Sequence, residues 1–201
     1  MSRAIIRRNV ILLALVLAGL FLMQFVVPEY YVLTITRMMA LAVFAIGYNI
    51  LLGYVGLLSL GHAMFFAAGL YGAGLASYHL GISVPLAFLG GIVAALILAA
   101  AIGFVALPTQ RVSFMIVTLM FSQVGFLMTL YFAGATGGQD GLSLPHAARS
   151  ISLGGWTLDL ADGVVRFNLA FGLLLVALAV SFFLLVSSRG RIFSAIRENE
   201  G

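Results

Sequence analysis

The sequence predicts an all-α fold, a polytopic transmembrane helix bundle. Three observations carry that prediction: a mean hydropathy of +1.19, six apolar runs of 18 to 24 residues, and arginines that gather at the ends of those runs. With 63% of 201 residues hydrophobic and 8% charged, the chain has too little polar surface to cover a soluble globule, so lipid must solvate it. A helix crossing a hydrocarbon core of about 30 Å needs about 20 apolar residues. The runs 10–27, 32–52, 57–78, 84–107, 112–132 and 167–186 meet or approach that length, and 1–201 reads as a single membrane domain.

The first run follows Arg3, Arg7 and Arg8, as the core of a secretory signal would. Its 18 residues exceed the usual core of about 7 to 15 and continue unbroken to Pro28-Glu29, so a first transmembrane helix is predicted instead. The second run contains Arg37, whose charge at the bilayer centre would cost about 2.5 to 3.5 kcal/mol. Near a helix end its stem can carry the guanidinium to the headgroups, an arrangement favoured over a partner within the bundle or a substrate-facing role. Gly53 and Gly56 flank the break before the third run, and 53–61 reads as a turn, with a broken or re-entrant segment as the alternative.

The third run is rich in small residues, among them Ala63, Ala67, Ala68, Gly69, Gly72 and Gly74. Ala68 and Gly72 lie four apart on one helical face, where a neighbouring backbone can approach, and an interior helix is predicted. Gly81-Ile82-Ser83 and Pro108-Thr109-Gln110-Arg111 bound the fourth run. The loop 134–166 after the fifth is too long for a mere connection and carries Asp140, Asp159, Asp162 and Trp156. Trp156 reads as an interfacial anchor.

With the N-terminus cytoplasmic, six crossings keep Arg3, Arg7, Arg8, Arg111, Arg189, Arg191 and Arg197 inside, and leave Arg149 and Arg166 in an external loop. That asymmetry is the one topology signals produce, and it favours an even count over five or seven. The net charge of +4 therefore speaks for orientation in a membrane and not for nucleic-acid binding. All ten cationic side chains are arginines, so a G-x-x-x-x-G-K-[ST] nucleotide loop is excluded and the polypeptide is not expected to hydrolyse ATP or act as an enzyme. Without cysteine there is no disulfide, thiol nucleophile or thiolate metal site.

Ser59 and His62 lie three apart and share a helical face, the spacing of an intramembrane hydrolase pair. No third group orients the imidazole and no G-x-S-x-G surrounds the serine, so packing or pore-lining hydrogen bonds are expected. His79 and His146 are too scattered to complete a metal site, and neither metal nor cofactor is predicted. Thr136-Gly137-Gly138-Gln139-Asp140-Gly141 permits left-handed backbone angles that can aim amides at an anion, with a plain tight turn as the favoured reading. After the last run, 187–201 puts Ile192, Phe193 and Ile196 on one helical face and Arg189, Arg197 and Glu200 toward another. Such an element suits a partner groove or a lipid surface, and an ordinary basic flank is the plainer alternative.

These blocks resemble a known family, the LivM-type permease subunit of bacterial ABC importers for branched-chain amino acids. Residues 47–66, GYNILLGYVGLLSLGHAMFF, are similar to its N-L-L-x-G-Y-x-G-x-x-S-L-G-H-x-x-F-F stretch. Residues 114–123 resemble Y-F-x-M-x-T-L-x-F-x-Q, residues 136–142 T-G-G-x-D-G-L, and residues 190–200 G-R-x-x-x-A-I-R-E-N-E. The blocks occur in family order over roughly 40–200, and the first helix contributes little.

The resemblance implies a permease in the bacterial inner membrane, working with a second permease subunit, two cytoplasmic ATPase subunits and an external substrate-binding protein. It implies an ABC importer permease fold shared with importers of vitamin B12 and ribose. Because the chain stops at Gly201 inside the last motif, only the N-terminal part of that fold is expected. Arg191, Ile192, Phe193, Ile196, Arg197, Glu198 and Glu200 would form the ATPase-coupling segment, and nucleotide-driven closure of the ATPases would tilt the bundles. Asn49, Ser59, His62 and Gln123 are the pathway candidates, since membrane-embedded polar groups tend to face bundle interiors or water. The rivals are an ion-coupled carrier or channel without ATPases, and a permease of the same family for urea or another amino acid.

Overall fold

A computed structural model describes residues 3–109, 111–142, 150–153, 156–187, 190 and 197. The first apolar run forms α1 (Arg3–Val26), and Pro28, whose fixed φ suits a helix start, precedes α2 (Glu29–Asn49). Gly53 does not break this helix. Backbone pairing widens instead into a π-helical turn (Ile50–Val55), and the chain leaves the helix only at Gly56, in the left-handed region at φ 84°. The helical stretch Glu29–Val55 thus spans 27 residues, and the expected turn at 53–61 shrinks to an irregular strip at 56–61.

Next come α3 (His62–Leu80), α4 (Val84–Ala106), α5 (Arg111–Tyr131), the single turn α6 (Ala133–Thr136) and α7 (Gly163–Val186). The last begins where the Asp162 carboxylate accepts from the Val164 amide at 2.9 Å, satisfying one of the helix's orphan donors. Within the long loop, β1 (Ser150–Leu153) and β2 (Trp156–Asp159) pair antiparallel, Ser150 opposite Asp159. The fold is all-α apart from this hairpin, which the hydropathy pattern does not announce.

Glu29–Val55, Val84–Ala106, Val112–Tyr131 and Gly163–Val186 are long and apolar enough to cross a membrane. Val10–Val26 is a shorter apolar helix, and α3 is diluted by its tyrosines, histidines and glycines. Large apolar side chains stand bare on the outside, Phe104 at 86% and Val26 at 82% exposure, far beyond what a water-facing monomer tolerates. The chain is a multi-pass membrane protein. Arg37 is exposed and has no hydrogen-bond or ion-pair partner among the described residues.

Packing divides into two bodies of side chains. One joins α2 and α7 through Val32, Met39, Phe167, Ala170 and Leu174, with Leu17 and Leu20 of α1 against it. The other joins α3, α4 and α5 around Met64, Ile102, Ala106 and Phe114. The small residues of α3 are where α4 comes close. A Cβ on Gly72 would stand 2.8 Å from the Ala94 Cβ and 3.2 Å from the Gly91 Cα, and one on Gly91 would strike the Gly69 carbonyl oxygen. Backbone-to-backbone contact of this kind replaces the hydrophobic drive that lipid does not supply.

Candidate translocation groove

Glycines turn α3 toward α4, while a different stripe of the same helix turns toward α5. Ala63, Ala67, Tyr71 and Leu75 recur every four residues and so share a face. The two alanines at its start are too short to fill the space before α5, and a groove of about 590 Å³ opens there. From α5, Ser122, Gly125, Phe126 and Thr129 form the opposite wall, and Leu98 of α4 contributes to the lining. A second close approach bounds the strip before α3, where a Cβ on Gly61 would strike the Thr118 carbonyl oxygen and sit 3.2 Å from the Ser122 Cβ.

Past the end of α5 the groove is lined by the Thr136–Gly141 turn. Gly137, Gly138 and Gly141 take φ of 80°, 57° and 74°, left-handed values that favour glycine, as the sequence pattern predicts. A side chain on Gly137 would strike the Gly141 carbonyl oxygen. The buried Thr136 hydroxyl lies 2.6 Å from the Thr129 carbonyl oxygen and 3.0 Å from that of Phe132, and accepts from the Gly138 amide at 3.2 Å. The Gly137 amide donates to the Ala133 carbonyl and the Asp140 amide to the Gly137 carbonyl. Three amides of the turn are therefore engaged internally, which argues for a structural turn over an anion cradle. The His79 Nε2, on the last turn of α3, lies 3.2 Å from the Ala135 carbonyl oxygen and ties α3 to this end.

None of the four pathway candidates lines the groove. Ser59 is buried, and its Oγ has no hydrogen-bond partner. His62 starts α3 amid aromatic rings, its centroid 5.2 Å from those of Phe44 and Tyr48 and 5.9 Å from that of Phe65, and its Nδ1 is also without a partner. Among the described residues no base hydrogen-bonds the Ser59 hydroxyl, as activation of a serine nucleophile would require. Asn49 and Gln123 are exposed in this chain. The Asn49 side chain lies over Gly53, where a Cβ would come within 2.8 Å of its Oδ1. Of the groove-lining residues that sequence reasoning passed over, Tyr71 continues the four-residue spacing of Ala63 and Ala67 on α3, and Ser122 and Thr129 could have been sought on the α5 surface facing it. No group of three or more metal-ligating side chains occurs among the described residues.

At the opposite end of the bundle, the Arg197 guanidinium donates to the Gly53 carbonyl at 2.8 Å. A Cβ on Gly56 would lie 3.0 Å from the Arg197 Cγ, so the stem of this arginine rests against the exit of the π-helical turn. Arg191, Ile192, Phe193, Ile196, Glu198 and Glu200 lie outside the described residues.

A family model described as branched-chain amino acid transport system / permease component matches residues 30–201. The high-affinity branched-chain amino acid transport system permease protein LivM of Salmonella typhimurium (strain LT2) is 31% identical over 188 residues, covering 82% of this chain and 43% of that protein. The protein of the same name from Escherichia coli (strain K12) is 30% identical over the same shares. The chain thus spans less than half the length of these curated relatives. No solved structure matches it significantly.

Proposed function

The chain belongs to the family of permease components of branched-chain amino acid transport systems, and from that premise we propose that it is a transmembrane permease subunit of an ABC importer for branched-chain amino acids. The observation that carries the reading is the groove between α3 and α5, apolar along most of its length and polar toward the Thr136–Gly141 turn. Small amphiphilic solutes suit such a lining. A second permease subunit closes the groove's open side, an external binding protein delivers the solute to the end formed by the turn, and two cytoplasmic ATPases drive the cycle. Six crossings with a cytoplasmic N-terminus put the Gly53–Arg197 end at the ATPases.

In this arrangement the Arg197–Gly53 bond makes the coupling segment and the end of α2 move together. The remaining coupling residues, Arg191, Ile192, Phe193, Ile196, Glu198 and Glu200, pack on and pair with the ATPases. Ser59 and His62, with unsatisfied polar atoms beside the groove's inner end, and the exposed Asn49 and Gln123 complete the path at the seam with the second permease.

The test is leucine uptake by the assembled transporter carrying Ala67→Phe, which plugs the groove. Uptake should fall by at least about tenfold, the effect of an added barrier of about 1.4 kcal/mol, while ATPase activity persists. Unchanged uptake with a correctly folded variant would remove the groove from the path. Movement of leucine by the chain alone in liposomes, down an ion gradient and without ATPases, would favour the ion-coupled carrier instead.

A further inference from the structure

We propose that the Thr136–Gly141 end of the groove is a binding site for a primary ammonium group bearing a branched aliphatic tail, with the Asp140 carboxylate as the ammonium's partner. The assignment rests on the groove being a solute path and names the residue that would read the solute's charged head.

Among the described residues, Asp140, exposed at the groove mouth, is the only charged side chain in the lining, and its carboxylate has no hydrogen-bond or ion-pair partner among them. The two threonine hydroxyls at this end are already engaged. The Thr136 hydroxyl bonds within the turn, and the Thr129 hydroxyl donates to the Phe126 carbonyl at 2.7 Å. Among the described residues, Gln139, whose amide can both donate and accept, shares the mouth with Asp140 uncommitted. Below them the wall is Leu75, Phe126 and Phe132. A carboxylate beside a low-dielectric wall concentrates a field that draws a cation, and the wall takes an aliphatic chain. The groove's volume of about 590 Å³ lies in the size range of small-molecule sites.

Charge separates this occupant from its rivals. A phospholipid tail filling the groove would bring its phosphate toward Asp140, a like-charge contact. An α-amino acid brings its ammonium to Asp140, and the Gln139 amide can donate to its carboxylate. A helix of a partner subunit would have to end at the turn and supply a cation there.

The experiment uses the full chain in nanodiscs and two probes that split the amino acid in half, 3-methylbutylamine and 4-methylpentanoate, with binding read by ligand-observed NMR. The amine should bind and the acid should bind at least about tenfold more weakly, as expected when a charge-assisted hydrogen bond is made in one case and replaced by repulsion in the other. Asp140→Asn should weaken the amine at least about tenfold with unchanged helical content, and Asp140→Glu should restore most of it. Equal binding of the two probes, amine binding that survives Asp140→Asn, or no amine binding by the folded wild-type chain would overturn the assignment. Leucine uptake by the assembled transporter separates this from the broader reading. Intact uptake beside absent amine binding sinks the Asp140 site alone, whereas intact, Asp140-dependent amine binding beside absent uptake supports the site and sinks the transport assignment.

Discussion

Between α2 and α7 the contact is made by Val32, Met39, Phe167, Ala170 and Leu174, whereas between α3 and α4 it is made by the backbones of Gly69, Gly72 and Gly91. Lipid solvates the isolated helices of both pairs equally well, so neither is held by a hydrophobic drive. The first pair depends on side chains that fill a volume, and the second on two main chains having nothing between them. Removing atoms should therefore injure the first pair, and adding them should injure the second. Both helices of the first pair still carry exposed large side chains, Met38 and Leu41 on α2 and Phe182 and Phe183 on α7, while the close approach to α4 leaves α3 free to present its alanines to α5. The groove exists on the side of the bundle where close packing is delegated to glycine.

Three substitutions test that contrast, each by reversible unfolding of the chain in mixed micelles. Phe167 is wholly buried and its ring stacks on that of Phe171 with centroids 6.4 Å apart. Phe167→Ala should cost about 3 kcal/mol, the low end for such truncations, because the cavity remains while transfer to lipid offsets part of the loss. Gly91→Ala adds one methyl against the Gly69 carbonyl oxygen and the Ala73 side chain, and should cost about 2 kcal/mol through overpacking. Gly90→Ala, one residue earlier on the same helix, meets nothing within 4 Å. It should be neutral or stabilise by up to about 1 kcal/mol, the intrinsic preference of a helix for alanine. If Gly90→Ala and Gly91→Ala behave alike, the close approach of α3 and α4 is not what holds that pair.

Length and hydropathy made the helical bundle legible, and the small-residue run of α3 announced a helix that another backbone approaches. Which backbone was not legible, because Gly91 sits in a run whose sequence is uniformly apolar and gives no face away. The left-handed glycines of the Thr136–Gly141 turn could be read from residue type, since φ above zero is a property of glycine itself. Gly53 misled for the same reason in reverse: glycine permits a break without requiring one, and the wider π turn accommodates it with Asn49 folded over the gap. Polarity singled out Asn49 and Gln123, which are exposed in this chain, whereas the groove is lined in part by alanines that polarity does not mark, because their contribution is the room they leave. The hairpin in the long loop depends on Ser150–Leu153 pairing with Trp156–Asp159, which no hydropathy pattern encodes.

The π turn at Ile50–Val55 holds more residues per revolution than an α-helix does, so it is a store of slack wound into α2. Letting one residue out, by rewinding to α geometry, would spin everything beyond it by about 100° and advance it by about 1.5 Å. Arg197 is bonded to that segment at the Gly53 carbonyl, so a displacement of its guanidinium would act on the π turn and not on a regular α-helix. Displacement of the tail would thus be converted into rotation of Gly56 and the strip leading to His62, a ratchet whose tooth is a single residue.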